Sequence, residues 1–171
     1  MKVLGLAGWS GAGKTTLLAK LIPELIRRGI SVSTMKHAHH AFDVDTPGKD
    51  SYVHREAGAT EVLVASGQRW ALMHEHRGSP EPDSKALMRH MSEVDLLLVE
   101  GFKREDHDKL EIYREANGKP LLAAEDSHIV AILVDGPAPD SQIARRLPLI
   151  DLNDIGAIAD FVMRHCGFAG R

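Results

Sequence analysis

Short unbroken apolar runs alternate along this chain with longer stretches whose apolar residues return every third or fourth position. Residues 2–7 (K-V-L-G-L-A) and 95–99 (D-L-L-L-V) are runs of the first kind and predict buried strands. Residues 14–28 are of the second kind. Leu17, Leu18, Leu21 and Leu25, with Ile22 beside them, mark one face of an amphipathic helix that Gly29 closes. Pro23 inside that pattern predicts a kink or an early break. Residues 30–36 form a second strand and complete a β-α-β unit, normally right-handed and parallel. Next come a short helix over 51–57, two strands over 60–65 and 69–74 joined tightly at S-G-Q, and a helix over 84–91. Further strands fall at 110–113 and 129–134, and a closing helix at 154–165 takes Asn153 as its N-cap. The alternation predicts a three-layer α/β protein with a mostly parallel central sheet, in a single domain over 1–171.

Composition narrows the classes. Hydrophobic residues make up 43% of the 171 and charged ones 26%, which argues against disorder. The formal net charge of −3 supplies no global positive field for nucleic acid or an anionic membrane. The single cysteine, Cys166, excludes an internal disulfide framework and suits a reducing compartment. The first apolar run is too short for a signal peptide and soon meets Lys14, and no run approaches the length of a membrane span. The expected location is the cytoplasm.

The chemistry concentrates where the first strand meets the first helix. Gly8-Trp9-Ser10-Gly11-Ala12-Gly13-Lys14-Thr15-Thr16 contains the complete phosphate-loop spacing, G-x-x-x-x-G-K-T, in the strand-to-helix context it requires. Its glycines let backbone N–H groups close around phosphate oxygens, and the positive end of the helix adds to that anion site. Lys14 reaches the outer phosphates, and the Thr15 hydroxyl suits Mg2+, which takes hard oxygen ligands. Such a loop also needs a carboxylate at a neighbouring strand end. Glu100, closing the most apolar run, is that candidate; Asp95 lies at the wrong end of the same strand. The expected class is a P-loop NTPase fold.

Beyond the loop, W-S-G-A-G-K-T-T-L-L, K-H-A-H-H, D-V-D-T-P-G-K-D-S-Y, Q-R-W-A-L-M and L-L-L-V-E-G-F-K together resemble the MobB family. These are the molybdopterin-guanine dinucleotide biosynthesis adaptor proteins. The similarity runs from the N-terminus to about Lys103 and resumes more weakly at L-I-D-L-N-D-I-G-A-I-A-D-F-V. The resemblance implies a homodimeric GTP-binding protein with weak GTPase activity. It would assist a MobA-type guanylyltransferase that attaches GMP to molybdopterin, with molybdopterin itself a further candidate ligand. The family's phosphate loop maps onto Gly8 to Thr16, and its acidic strand end onto Glu100.

The polar loop from His37 to Asp50 leaves several roles open. His37, His39 and His40 stand together, followed by Asp43, Asp45 and Asp50. Segments in this position often sense the γ-phosphate and Mg2+. Any of the three aspartates suits the Mg2+ shell, with Asp45 favoured. Lys36 or His37 can stabilise phosphate charge or position a water. Lys14, His37 and Asp45 are therefore the catalytic candidates. A zinc- or nickel-binding cluster in a metallochaperone-like GTPase is an alternative, as are a small P-loop kinase and a plain solvated loop. Lys49 and Arg55 can instead face a phosphorylated pterin. Trp70 reads first as an anchor for the core or a dimer surface, and second as a pterin-stacking ring.

No N-K-x-D guanine-reading sequence is present. Asp135, at the end of the 129–134 strand, can accept from guanine N1 and N2, or can simply be a turn residue. No arginine lies in the phosphate loop or in the 37–50 loop, Arg55 being the nearest. Slow, partner-dependent GTP turnover is the expectation.

Overall fold

Leu4 and Leu6 are buried because strands flank them on both sides and helices cover them. The computed structural model describes residues 1–38, 42–102, 105–137, 139 and 141–168. The elements are β1 (Lys2–Ala7), α1 (Lys14–Arg27), β2 (Val32–Lys36), α2 (Asp50–Glu56), β3 (Glu61–Ala65), β4 (Trp70–His74), α3 (Ser84–Met88), β5 (Leu96–Glu100), β6 (Lys109–Tyr113), β7 (Ile129–Val134), β8 (Leu149–Asp151) and α4 (Ile155–His165). Two compact units result: Met1–His37 with Ser92–Arg171, and Ala38–Met91.

In the first unit the sheet order is β2-β5-β1-β6-β7-β8, and every neighbouring pair is parallel. Alternate side chains go to opposite faces. Leu4, Leu6, Leu98, Leu110, Ile112 and Leu133 form one core with Leu17, Leu21 and Leu25 of α1 and Ile158, Ala159 and Val162 of α4. Ala7 and Ile132 meet Leu121 and Ala144 on the other side. The chain leaves β1 for the β2 edge and later returns to build β6, β7 and β8 on the opposite side. The carboxyl end of β1 is therefore a topological switch point, where open α/β sheets take their ligands.

The second unit holds α2, α3 and the antiparallel pair β3–β4, in register from Glu61↔His74 to Ala65↔Trp70. The Ser66 N–H donates to Arg69 O at 2.9 Å and closes its turn. Among the described residues of this unit, Val62 is the one buried apolar side chain.

Several expectations need correction. α1 runs unbroken through Pro23; the ring removes a bond to the carbonyl of Ala19, and both residues lie on the exposed side of the helix. The N-cap of α4 is Asp154, whose Oδ1 accepts from the Ala157 N–H at 2.8 Å. Asn153 instead turns its side-chain amide to Asp151 Oδ1. α3 stops at Met88, three residues short of the expected end. β8 was invisible in sequence because three residues carry no period; it exists by pairing with β7. Among the described residues no helix is long and apolar enough to cross a membrane.

Candidate functional site

The phosphate loop takes its shape from two tight places. A Cβ on Gly8 would sit 3.0 Å from Ile112 O and 3.2 Å from Ala12 Cβ, so only glycine lets the chain turn off β1 there. Gly13 is the N-cap of α1 with φ 100°, a left-handed conformation, and offers no side-chain cap. No acidic residue stands in the first turn either. The first N–H groups of α1 are thus left to an anion. Lys14 arches over the loop, its Nζ donating to Gly8 O at 2.8 Å and Trp9 O at 3.3 Å. Ser10 and Gly11 are exposed at the tip, Ala12 is buried beneath it, and Thr15 and Thr16 open the helix on its exposed side. The Trp9 indole donates to Pro120 O at 2.9 Å and ties the loop to the segment after β6.

Glu100 ends β5 in register with Leu6 of β1 and Lys36 of β2, which puts its half-buried carboxylate beside the start of the phosphate loop. Asp95 sits at the far end of that strand, where its carboxylate accepts from the Ser31 N–H and hydroxyl at 3.0 and 2.6 Å. The Glu100 carboxylate and the Thr15 hydroxyl form no hydrogen bond with the described residues. Two hard oxygen donors of this kind beside one anion site fit Mg2+. The His37 N–H donates to Glu100 O at 2.8 Å, and its ring lies 5.1 Å from that of Phe102.

Asp45 belongs to the second unit. Its Oδ1 accepts from the Thr46 N–H at 2.9 Å and the Ser51 hydroxyl at 2.8 Å; Oδ2 faces Arg55 Nε across 3.7 Å. Asp43 accepts from the Asp45 N–H and from Arg55 Nη2 at 2.6 Å, and these bonds hold its carboxyl below the usual range. Arg55 also reaches Glu75 at 3.2 Å and covers the Tyr52 ring. The cluster orders the approach to α2, where Lys49 is the N-cap and Asp50 the first residue. Lys14, Thr15, His37, Glu100 and Asp135 share the first unit; Asp43, Asp45, Asp50, Arg55 and Trp70 share the second. His39 and His40 lie outside the described residues, as do Lys103 and Arg104, the cations of the F-K-R-E-D-H-D-K stretch where the kinase alternative would need its lid. Among those described, no three His, Cys, Asp or Glu side chains converge as metal ligands.

Sequence reasoning missed Arg114. It follows β6, 102 residues after Ala12 in the chain, yet its Nε donates to Ala12 O at 2.8 Å. Its Nη1 pairs with the carboxylate of Asp135 at the end of β7. An arginine therefore stands against the phosphate loop in space, though none is near it in sequence. Charged groups also line a cleft of about 320 Å³ on the other side of the loop, walled by Trp9, Phe102 and His107. Lys109, 2% exposed, is neutralised there by Asp126 at 3.0 Å and donates to Glu105 O at 2.7 Å. Glu111 is fully buried and accepts from the N–H groups of Leu122 and Ala123, and burial raises its pKa. Burial lowers the pKa of His107. The strand K-L-E-I-Y carried the signal: two charged residues two apart on a central strand share one face.

A parallel sheet, a glycine-built loop at its switch point, a lysine over an open helix N-terminus and an acidic neighbouring strand end define a P-loop α/β protein. Residues 3–135 match the family described as Molybdopterin guanine dinucleotide synthesis protein B. The chain belongs to that family. It is 47% identical to the molybdopterin-guanine dinucleotide biosynthesis adapter protein of Escherichia coli strain K12 over 94% of this chain and 91% of that one. With the adapter protein of Haemophilus influenzae the identity is 44% over 94% of this chain and 86% of that protein. The fold matches the crystal structure of Bacillus subtilis MobB with a TM-score of 0.75 at 24% identity, covering 96% of this chain and 97% of that one.

Proposed function

We propose that this protein is a GTP-binding adapter that assists attachment of GMP to molybdopterin, acting with a MobA-type guanylyltransferase. The names of its curated relatives support the pathway. The observation that carries nucleotide binding is Lys14 poised over the uncapped start of α1. In this reading the loop N–H groups and Lys14 hold the β- and γ-phosphates, and Thr15 and Glu100 hold Mg2+, which would neutralise charge building on the phosphates. Asp135 is the base-reading carboxylate, and His37, beside Glu100, remains the candidate for positioning water. Hydrolysis is weak in this reading because Arg114, the arginine against the loop, is engaged with Ala12 O and Asp135, while fast turnover needs an arginine at the transferring phosphate. Direct contact with molybdopterin would be sought in the aromatic-walled cleft beside Trp9.

A homodimer is part of the proposal. Leu63, Ala65, Trp70 and Leu72 share one face of the β3–β4 pair, and all four are exposed. A contiguous apolar stripe on a hairpin is a surface that association covers.

Titration with GTP and Mg2+ tests the reading. Lys14→Ala should lower affinity about tenfold or more with the circular dichroism unchanged, since the lysine lies outside the hydrophobic core and acts through its charge. Unchanged affinity would overturn it. Co-purification with the guanylyltransferase, with and without GTP, tests the adapter role.

A further inference from the structure

The Arg114 guanidinium makes two contacts of different kinds. Nε braces the phosphate loop at Ala12 O, 2.8 Å away, while Nη1 occupies the Asp135 carboxylate. Nη2 would lie 3.3 Å from a Cβ placed on Gly13, so the group runs along the backbone where α1 begins. Between it, Thr16, Leu17 and Lys20 on α1 and Asn153 ahead of α4, a cleft of about 30 Å³ remains. Arg114 forms one wall of that cleft.

The chemistry of the two partners explains what would move it. A guanidinium offers a carboxylate coplanar N–H donors. The N1–H and N2–H edge of guanine offers the same paired donors. Adenine offers an acceptor at N1 and a donor only at N6. With Nη1 on Asp135 Oδ2, the N1–H and N2–H donors of guanine cannot take both carboxylate oxygens at once.

We infer that Arg114 is a latch on the nucleoside subsite, a positioning residue that occupies Asp135 in place of guanine and yields it when guanine binds. This rests on the reading of Asp135 as the guanine-binding carboxylate. The exchange opens the cleft beside Thr16, Lys20 and Asn153. Because one rigid planar group holds both Asp135 and Ala12 O, releasing the first disturbs the second, and base binding is felt at the phosphate loop. The latch also weakens guanine binding by the fraction of molecules in which it is closed.

The test compares GTP with inorganic tripolyphosphate, which meets the phosphate loop but brings no base. The ratio of the two affinities cancels the charge lost with Arg114. Arg114→Ala should raise that ratio about fivefold, the size of a partly exposed ion pair. Asp135→Ala should lower it, and adding Arg114→Ala to Asp135→Ala should then change nothing. Arg114→Lys, which keeps a cation beside the loop and loses the planar fork, should move the ratio in the same direction as alanine if the alanine variant folds poorly. If both Arg114 variants leave the ratio unchanged while Asp135→Ala lowers it, guanine reading stands and the latch is overturned. If GTP binds no better than tripolyphosphate in wild type and in Arg114→Ala alike, and Asp135→Ala has no effect, Asp135 does not read guanine and both ideas fall.

Discussion

Leu98, on a central strand of the parallel sheet, is 1% exposed, while Leu63 and Trp70 on the hairpin are 61% and 62% exposed. The residue types are alike, and the sequences read as strands with equal ease. The difference lies in neighbours. β5 has a strand on each side; Leu96 and Leu98 pack into the core with the helices, and Leu97 and Val99 on the other face are buried as well. β3 and β4 have only each other as partners in their sheet, and a two-stranded pair has too little area to bury its own side chains. The first unit supports a rigid phosphate site. The second holds its shape largely by polar contacts around Arg55.

Removing apolar volume should separate the two most sharply. Leu98→Ala should cost about 2–5 kcal/mol of unfolding free energy, the range for a core leucine, read by urea denaturation. A loss below about 1 kcal/mol would mean that the sheet core tolerates cavities far better than its packing indicates.

Arg55→Ala should come next. It strips the cation from Asp43, Asp45 and Glu75 together, and the loss of stability should be local to the second unit. Hydrogen exchange should show it as lost protection in α2, with the amides of β1 and β5 unaffected. Protection lost equally in both places would show that the units unfold together.

Glu100→Gln keeps shape and removes charge. It should weaken Mg2+-dependent GTP binding several-fold and leave metal-free binding near wild type. Equal Mg2+ dependence in the two proteins would make Glu100 a strand terminus and shift attention to Asp43, Asp45 and Asp50.

The smallest effect on stability belongs to the hairpin surface. Trp70→Ser should change the unfolding free energy by less than about 0.5 kcal/mol, yet shift self-association toward monomer in sedimentation velocity. A large stability loss with association intact would place the indole in a core.

Sequence alone determined the elements that carry their own signal. The G-x-x-x-x-G-K-T spacing located the phosphate grip because glycine and lysine are required there whatever surrounds them. The period of Leu17, Leu21 and Leu25 located α1, and D-L-L-L-V located the buried strand that presents Glu100. Other features depended on partners distant in the chain. β8 needs β7 beside it, and the cap on α4 was settled by the competition of Asp151 for Asn153. Arg114 reaches Ala12 only because β6 pairs with β1, and reaches Asp135 only because β7 pairs with β6. A hydrogen bond depends on distance in space, which local residue pattern does not encode. Only the tertiary structure could place an arginine on a loop that, in sequence, has none nearby.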